Sequence, residues 1–323
     1  MRFSISNRIE NNLKLIVLHD LKLKTEVAIL PELGASLHAF RISSKSGPLN
    51  IVDNYQSAEE AEKILDRSYK SSKLSPFTCR IANGKYRFAN RDLEFHKKFP
   101  DGSAIHGLLF NKIFLVAEQI SGEDRAAVRL SYVYERDDPA YPFDYRCEIS
   151  YSLEPENRLT LQTLIFNLGE SEIPIADGWH PYFSLGSKID DCELQFSAGS
   201  MLEFDGHLIP TGNLYDYNLF RDSTQIGQIN LDNCFLPSLH NESPLCRLYN
   251  PSNGIELLFY TDGSYPFLQI FTPDSRQSIA IENLSGAPDC FNNGMGLVLL
   301  APNSSKTFSV IYQVRINEKA NLL

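Results

Sequence analysis

The chain has 323 residues, 43% hydrophobic and 22% charged, which is the composition of an ordinary globular protein with a sizeable core. Its formal net charge of −10 argues against a surface for nucleic acid or anionic membrane, so neither is expected as a partner. No run approaches the roughly 18 apolar residues of a membrane span, and the N-terminus lacks a signal-peptide core. The six cysteines are dispersed without a C-x-x-C pair, which favours reduced thiols and predicts a cytoplasmic protein.

Short runs with strand character, separated by turn residues, occupy most of the chain. Predicted strands begin near Leu15, and four follow one another between residues 114 and 166. The segment from Leu159 to Leu164 alternates apolar and polar residues over most of its length, as a half-buried strand does. Five more runs fill the final third, and no helical repeat separates them. The sequence therefore predicts an all-β fold, a large antiparallel β-sandwich.

Three segments carry other signals. Ser57 followed by Glu60 forms a capping box that predicts one short helix over residues 57–68. Asn83-Gly84 is a hairpin-turn signal. Residues 205–243 are rich in Gly, Asn, Asp and Pro, and they predict a long loop. No linker marks a domain boundary, so a single domain over residues 1–323 is expected, with a frayed tail after about residue 317.

The segment from Gly178 to Phe183 concentrates the most unusual chemistry. It contains Trp179, the only tryptophan of the chain, beside His180, and Pro181 and Tyr182 follow. Pro181 favours extended geometry at His180 and cannot donate a ladder hydrogen bond. Flat aromatic surfaces beside a polar imidazole suit a sugar, which has apolar C–H faces and hydroxyl edges. The plain alternative is an edge-strand histidine packed near a core tryptophan.

Four other polar residues lie in apolar or turn-rich settings: Arg80, His106, Asp232 and Glu282. Glu282 ends an apolar strand, where a carboxylate is costly unless it is paired or faces a cleft. His106 precedes Gly107, which would let the backbone approach a ligand closely. Each has an ordinary structural alternative: a surface ion pair for Arg80 and Asp232, a turn position for His106 and a strand end for Glu282.

The patterns of several other site types are missing. No H-E-x-x-H or similar ligand spacing suggests a metal, no Gly-rich loop suggests a phosphate cradle, and no G-x-S-x-G suggests a nucleophile. We therefore expect no metal and no cofactor. What remains is one carboxylate and two imidazoles, which is what proton shuttling without a covalent intermediate requires.

Taken together and in order, these motifs resemble the aldose 1-epimerases, also called galactose mutarotases. The matching stretches run from about residue 25 to 314. The most specific is Ala280-Ile281-Glu282 followed by Ala287-Pro288-Asp289-Cys290-Phe291-Asn292, and the next is His180-Pro181-Tyr182-Phe183. The resemblance implies the galactose mutarotase-like supersandwich and an isomerase of carbohydrate metabolism that interconverts the α and β anomers of a hexose such as galactose or glucose. Its partner would be a monosaccharide substrate, and the protein would be a monomer or homodimer.

The resemblance also implies a role for each residue. Glu282 would be the base for the anomeric hydroxyl and His180 the acid for the ring oxygen, one ionised and the other protonated at the start of a turnover. His106 would hydrogen-bond the same oxygen or a neighbouring hydroxyl, as a catalytic or binding residue. Arg80 and Asp232 would hold sugar hydroxyls, with Trp179 and Tyr182 completing the substrate site.

The sequence departs from the family pattern at two places. Cys79 precedes Arg80, and Gly84-Lys85 follows Asn83, where the family often has Gly-Arg-x-x-Asn-Arg. A Gly-rich turn common after the first His-Gly is replaced by the segment 108–111, Leu-Leu-Phe-Asn. Two alternatives therefore stay open. A hexose-6-phosphate mutarotase would need two or more cations converging on the phosphate, and Lys73, Arg80, Lys85 and Arg87 lie close together in the sequence. A non-catalytic sugar-binding sensor would keep the aromatic residues without needing both His180 and Glu282.

Overall fold

The computed structural model describes residues 1–238 and 243–317. Strands dominate the described residues, and three sheets hold most of them, so the all-β prediction is confirmed. The predicted frayed tail beyond residue 317 lies outside the described residues, as does the part of the predicted loop at 239–242.

The N-terminal sheet is a five-stranded antiparallel meander. Its strands, in spatial and chain order, are β1 (Phe3–Glu10), β2 (Leu13–Asp20), β3 (Thr25–Leu30), β4 (Ser36–Ser44) and β5 (Gly47–Asn50). Ile16 and Leu18 face the main core, whereas Leu15 and Val17 face a second apolar cluster on the other side. Burial on both faces of the sheet explains the continuous apolar run from Leu15 to Leu18 in β2.

The outer sheet of the sandwich has nine antiparallel strands. In spatial order they are β12 (Leu115–Ser121), β13 (Ala126–Glu135), β14 (Asp144–Glu154), β15 (Arg158–Asn167), β29 (Ser305–Ile316), β25 (Ile255–Thr261), β24 (Cys246–Asn250), β19 (Glu193–Phe196) and β22 (Thr224–Gln225). In β14, every second residue is buried, from Tyr145 to Leu153. This alternation is the period-two signal that identified the strands from sequence.

The inner sheet positions the candidate site. In spatial order its main path is β21 (Pro210–Asp216), β20 (Ala198–Phe204), β23 (Asp232–Pro237), β26 (Phe267–Phe271), β27 (Ile279–Leu284), β17 (Gly178–His180) and β7 (Ser72–Leu74). Strand β18 (Tyr182–Phe183) also pairs with β27, and β6 (Val52–Asp53) pairs with β18. Phe183 of this sheet contacts Phe259 and Tyr312 of the outer sheet at ring-centroid distances of 5.3 and 5.5 Å. The two large sheets therefore share one apolar core.

The remaining strands form three two-stranded sheets, and the described residues include two short helices. The paired strands are β8 (Arg80–Ile81) with β11 (Ala104–Ile105), β9 (Lys85–Phe88) with β10 (Arg91–Glu94), and β16 (Ile173–Ile175) with β28 (Val298–Leu300). The helices are α1 (Ala58–Ser68) and α2 (Cys290–Asn293). The predicted capping box begins α1: the Ser57 hydroxyl accepts from the Glu60 amide, while the Glu60 carboxylate accepts from Gln56.

Three local predictions are corrected by the structure. Residues 205–238 contain strands β21, β22 and β23, which the loop prediction missed. Strand β21 is almost entirely exposed, so it carries no apolar alternation that could reveal it. Asn83 and Gly84 do have positive φ, but the strands on either side pair elsewhere and form no hairpin. Gly107 approaches the Ser75 backbone and not a ligand, since a Cβ there would lie 2.4 Å from the Ser75 carbonyl oxygen.

The described residues contain no helix long and apolar enough to cross a membrane. All six cysteines lie within the described residues, and each is a buried free thiol, as expected from their spacing.

Candidate active site

A cavity of about 200 Å³ opens on the face of the inner sheet that points away from the outer sheet. Three neighbouring strands supply its polar floor, namely β27 with Glu282, β26 with Gln269 and β23 with Asp232. Glu282 lies directly opposite Gln269 in the ladder, and Asp232 lies opposite Phe271. Regular strand pairing thus brings together side chains that are far apart in the sequence.

His180 and Glu282 form the centre of the cavity. The imidazole Nε2 lies 3.3 Å from the Glu282 carboxyl Oε1, and the two residues are only 7% and 2% exposed. His180 Nδ1 and Glu282 Oε2 are both buried without a protein partner. A buried polar atom without a partner is costly, so these atoms are available to a ligand that brings its own hydroxyl groups.

Burial disfavours the charged form of both groups. It lowers the pKa of His180 to about 4. Burial, together with the nearby Asp232 carboxylate, raises the pKa of Glu282 well above its usual value. Burial of the pair therefore favours a neutral imidazole beside a neutral carboxylic acid. This differs from the expected starting state of one ionised and one protonated group, because desolvation of the pair cannot be read from sequence.

Asp232 and Arg80 lie at the mouth of the cavity. Gln269 donates a hydrogen bond of 2.8 Å from Nε2 to the Asp232 carboxylate, while its own Oε1 is buried without a partner. The Arg80 guanidinium bonds Asp101 at 2.5 Å, and the Arg80 carbonyl accepts a hydrogen bond from the Asp289 amide at 2.7 Å. Fixed donors and acceptors of this kind are suited to sugar hydroxyls.

His106 enters the cavity wall from a strained backbone position. Its φ is +62°, in the left-handed region that non-glycine residues rarely adopt. The ring lies 5.0 Å from that of His180 and 4.6 Å from that of Tyr69. Burial in the wall, with His180 and Arg80 nearby, lowers the pKa of His106 well below its usual value. A neutral His106 can both accept and donate a hydrogen bond.

Tyr182 lies in the cavity, whereas Trp179 lies in the hydrophobic core. Tyr182 lines the cavity and stacks on His180 with ring centroids 5.0 Å apart and planes inclined by 20°. The prediction that Trp179 belongs to the substrate site is wrong, because its side chain projects from the opposite face of β17 into the core. Neighbouring residues of a strand face opposite sides, so Trp179 and His180 cannot share the cavity.

Trp179 instead packs against a buried ion pair. Lys73 Nζ lies 4.4 Å from the indole ring and 2.6 Å from the Asp177 carboxylate, and both charged residues are fully buried. Lys73 is therefore unable to reach a ligand in the cavity. Lys85 and Arg87 lie on strand β9 and pair with Glu94 and Asp92. Of the four cations considered for a phosphate, only Arg80 lines the cavity.

Gln269, Tyr69 and Arg67 are among the cavity residues that the sequence analysis missed. Gln269 is the single polar residue of strand β26, between apolar neighbours, and that contrast was a usable signal. Tyr69 follows helix α1 in a left-handed conformation, and its φ of +46° places the ring against His106. No sequence pattern indicates this contact. Arg67, also on α1, reaches the cavity wall.

No group of three or more His, Cys, Asp and Glu side chains is placed to hold a metal ion within residues 1–238 and 243–317. The site as described consists of hydrogen-bonding groups and two titratable residues in contact. Two titratable residues in contact can exchange a proton.

The raised pKa of Glu282 predicts how the stability of the protein depends on pH. The pKa of Glu282 is higher in the folded than in the unfolded protein, so folding favours the neutral carboxyl. The free energy of unfolding therefore falls as the pH rises from the unfolded-state pKa through the folded-state pKa. The glutamine of Glu282→Gln stays neutral at every pH, so this variant should not lose stability in this way. The loss in the wild type is at most about 1.4 kcal/mol per pH unit. We expect its melting temperature to exceed that of the wild type by roughly 2 °C or more at pH 8, with the gain vanishing near pH 4.5. Thermal melts at both pH values would show this.

The exposed Glu62 of helix α1 provides the control. Glu62→Gln should melt close to the wild type at both pH values. A Glu282→Gln protein no more stable than the wild type at pH 8, or one whose gain grows towards acid, would show that Glu282 is not held neutral.

Comparison with known proteins agrees with the fold. The aldose 1-epimerase family model matches residues 18–313. The uncharacterized protein YihR of Escherichia coli K12 is 26% identical over 235 residues, covering 70% of this chain and 73% of that protein. Maltose epimerase of Levilactobacillus brevis is 23% identical over 318 residues, covering 90% and 91%.

Among solved structures, a galactose mutarotase-like protein from Clostridium acetobutylicum superimposes with a TM-score of 0.87 over 98% of this chain and 99% of that one, at 17% identity. The fold is thus a galactose mutarotase-like sandwich. Because the family model spans most of the chain, the protein belongs to the aldose 1-epimerase family and to the isomerase class.

Proposed function

We propose that this protein is an aldose 1-epimerase that interconverts the α and β anomers of a neutral hexose such as glucose or galactose. The observation that carries the proposal is the contact between His180 and Glu282 at 3.3 Å, buried at the floor of a cavity in which His106 Nδ1 and Gln269 Oε1 also lack partners. One acid and one base at opposite ends of a hemiacetal are what ring opening requires. We place the enzyme in the cytoplasm because its thiols are free and buried.

The reaction begins when a sugar lies across the pair. The resting neutral pair holds one proton, and its transfer from Glu282 to His180 creates the ionised form without any exchange with solvent. The Glu282 carboxylate then accepts the proton of the anomeric hydroxyl while the His180 imidazolium protonates the ring oxygen. The C1–O5 bond breaks, C1 becomes an aldehyde, and both side chains are neutral again.

Burial opposes the first proton transfer, which creates the ion pair, and favours the second step, which removes it. The ion pair is converted into two neutral groups, and a water-poor site favours neutral groups over charged ones. Rotation about C1–C2 and reclosure by the reverse proton transfers give the other anomer. His106 hydrogen-bonds an adjacent oxygen, while Tyr182 offers its ring to the apolar face of the sugar.

The two open alternatives are less well supported. A hexose-6-phosphate needs converging cations. Arg67 and Arg80 both line the cavity, but Arg80 is already paired with Asp101. Lys73 is buried in the core, and Lys85 and Arg87 lie on another strand pair. A sugar sensor has no need for a buried acid–base pair, which is costly to maintain. The neutral-hexose enzyme accounts for both observations.

Polarimetry of freshly dissolved α-D-glucose, α-D-galactose and α-D-glucose 6-phosphate tests the proposal. The protein should speed the anomerisation of at least one neutral hexose well beyond the buffer rate, with a smaller effect on the phosphate. Acceleration confined to the phosphate would favour the rival enzyme. Sugar binding without any acceleration would leave the sensor.

Removal of the groups at the cavity mouth should weaken binding. Asp232→Asn and Arg80→Ala each delete charge-assisted hydrogen bonds to hydroxyls, at an expected cost of about 1–3 kcal/mol, or roughly 5- to 150-fold in affinity. Titration calorimetry with the preferred hexose measures this. Arg87→Ala is the matched control, because Arg87 is exposed and pairs with Asp92 away from the cavity. Wild-type affinity in both mouth variants would exclude these residues from the sugar site.

A further inference from the structure

A buried polar network lies on the core side of the strand that carries His180. Lys73 Nζ donates hydrogen bonds to the Asp177 carboxylate at 2.6 Å and to the Thr163 hydroxyl at 3.0 Å. The Tyr265 hydroxyl donates to the same Asp177 oxygen at 2.8 Å. All four side chains are fully buried, and Thr163 belongs to strand β15 of the outer sheet, so the network joins the two large sheets.

The His180–Glu282 contact lies at an interruption of the sheet. Strand β17 pairs with β27 through Gly178, and the ladder between β18 and β27 begins at Tyr182. Pro181 lies between these two short ladders and has no amide hydrogen to donate. His180 and Glu282 therefore meet across a gap in the regular pairing, and the distance between them depends on what else holds β17.

The ion pair of the network holds β17 from the side opposite the cavity. Lys73 lies opposite Trp179 in the ladder between β7 and β17, with Nζ 4.4 Å from the indole ring. The same Nζ donates to the Gly178 carbonyl at 3.3 Å. Asp177 directly precedes β17, and its amide and carbonyl both bond Ser285, at the end of β27, at 2.8 Å. One ion pair thus links β7 to the adjoining ends of β17 and β27.

We propose that Lys73 and Asp177 are positioning residues that hold β17 so that His180 stays in contact with Glu282. The inference rests on the proposed function of the cavity and adds two residues that never touch the substrate. Because both are buried in the core, they act only through the placement of β17. A displacement of about 1 Å in a reacting group can lower a rate roughly 100-fold, so the support of β17 has a direct effect on kcat.

Stability alone is a poor reason for this ion pair. The desolvation of two buried charges offsets most of their attraction, and replacement of such a pair by neutral groups of similar volume often leaves stability unchanged or raises it. Removal of one partner leaves an uncompensated buried charge and is strongly destabilising. A positioning role and a merely structural role therefore differ in what they predict for the neutral double replacement.

The test removes both charges with little change of shape, in the double variant Lys73→Met/Asp177→Asn. Its melting temperature should stay within about 3 °C of the wild type, whereas each single variant should lose roughly 5 °C or more. Polarimetry with glucose and galactose should give a kcat roughly tenfold or more below the wild type and a KM within about threefold, because the groups that bind the sugar are unchanged. A stable double variant with wild-type kcat would overturn the inference.

Combination with His180→Asn shows whether the effect passes through His180. In that background Lys73→Met/Asp177→Asn should lower kcat by less than about twofold further, because the group that the ion pair positions is already gone. Losses that multiply in full would contradict a positioning role. The control is Arg247→Met/Glu256→Gln, which removes an ion pair between strands β24 and β25 of the outer sheet and should keep wild-type kcat.

Two further measurements decide the matter without the double variant's activity. Tyr265→Phe deletes only the hydroxyl that bonds Asp177, so kcat should fall roughly threefold with KM unchanged, and an unchanged kcat would count against the proposal. Nitrogen NMR signals of the His180 ring, assigned with His180→Asn, should shift in Lys73→Met/Asp177→Asn whether or not the protein turns over a hexose. Unchanged signals would overturn the positioning role, whereas a wild type without hexose turnover would contradict the proposed function.

Discussion

Glu282→Gln should lower kcat for hexose anomerisation by roughly 100-fold or more, the usual contribution of one proton-transfer residue. Glutamine preserves the shape of the side chain and its place opposite Gln269 on strand β27, but it has no carboxylate to accept a proton. It also removes the proton that the resting pair shares. Sugar affinity should stay within a few-fold of the wild type, because Arg80, Asp232 and His106 still supply hydrogen bonds.

Polarimetry for kcat and calorimetry for affinity separate these effects. Glu62→Gln, on the exposed face of helix α1, serves as the control and should be fully active. Near-wild-type turnover in Glu282→Gln would remove the proton relay and leave a sugar-binding role as the better account of the cavity.

His180→Asn should cause a loss of similar size, roughly 100-fold or more in kcat, since asparagine cannot protonate the ring oxygen. The double variant should be little worse than the more damaged single variant, because two residues that share one proton act as a unit. Stopped-flow polarimetry of the two single variants and the double variant measures this.

His96→Asn is the matched control, because His96 is exposed and lies outside the cavity. Losses that multiply in the double variant would mean that His180 and Glu282 act in separate steps. In that case their contact at 3.3 Å would have no mechanistic role.

The sequence was most informative where a local pattern maps directly onto local structure. The period-two pattern of residues 159–164 predicts strand β15, and Ser57 with Glu60 predicts the start of helix α1. Polar residues in apolar or turn-rich settings also identified Arg80, His106, Asp232 and Glu282, which the structure brings to one cavity. Burial of an unpaired polar group is costly, so a polar residue in an apolar stretch can be recognised from the sequence alone.

The remaining features depend on contacts between distant segments. Trp179 seemed to belong with His180 because they are neighbours, but strand geometry places them on opposite faces. Strand β23 begins with Asp232-Asn233, a polar pair that suggested a loop, although pairing with β26 makes it part of the sheet. Tyr69 reaches His106 only through the three-dimensional fold. The neutral state of the acid–base pair likewise follows from burial by several elements at once.

The pH dependence of kcat/KM tests the central claim most directly. Only the pair with one shared proton is competent, so activity should fall in acid as His180 also becomes protonated, near its pKa of about 4. It should fall in alkali only once Glu282 loses the shared proton, well above the usual range of a carboxyl group. Polarimetry of the wild type, corrected for the buffer rate at each pH, should therefore give a broad plateau through neutral pH between these limits. A rate that rises with an apparent pKa near 6.5, or one that has the same pH profile in the wild type and Glu282→Gln, would contradict a relay through one proton shared by His180 and Glu282.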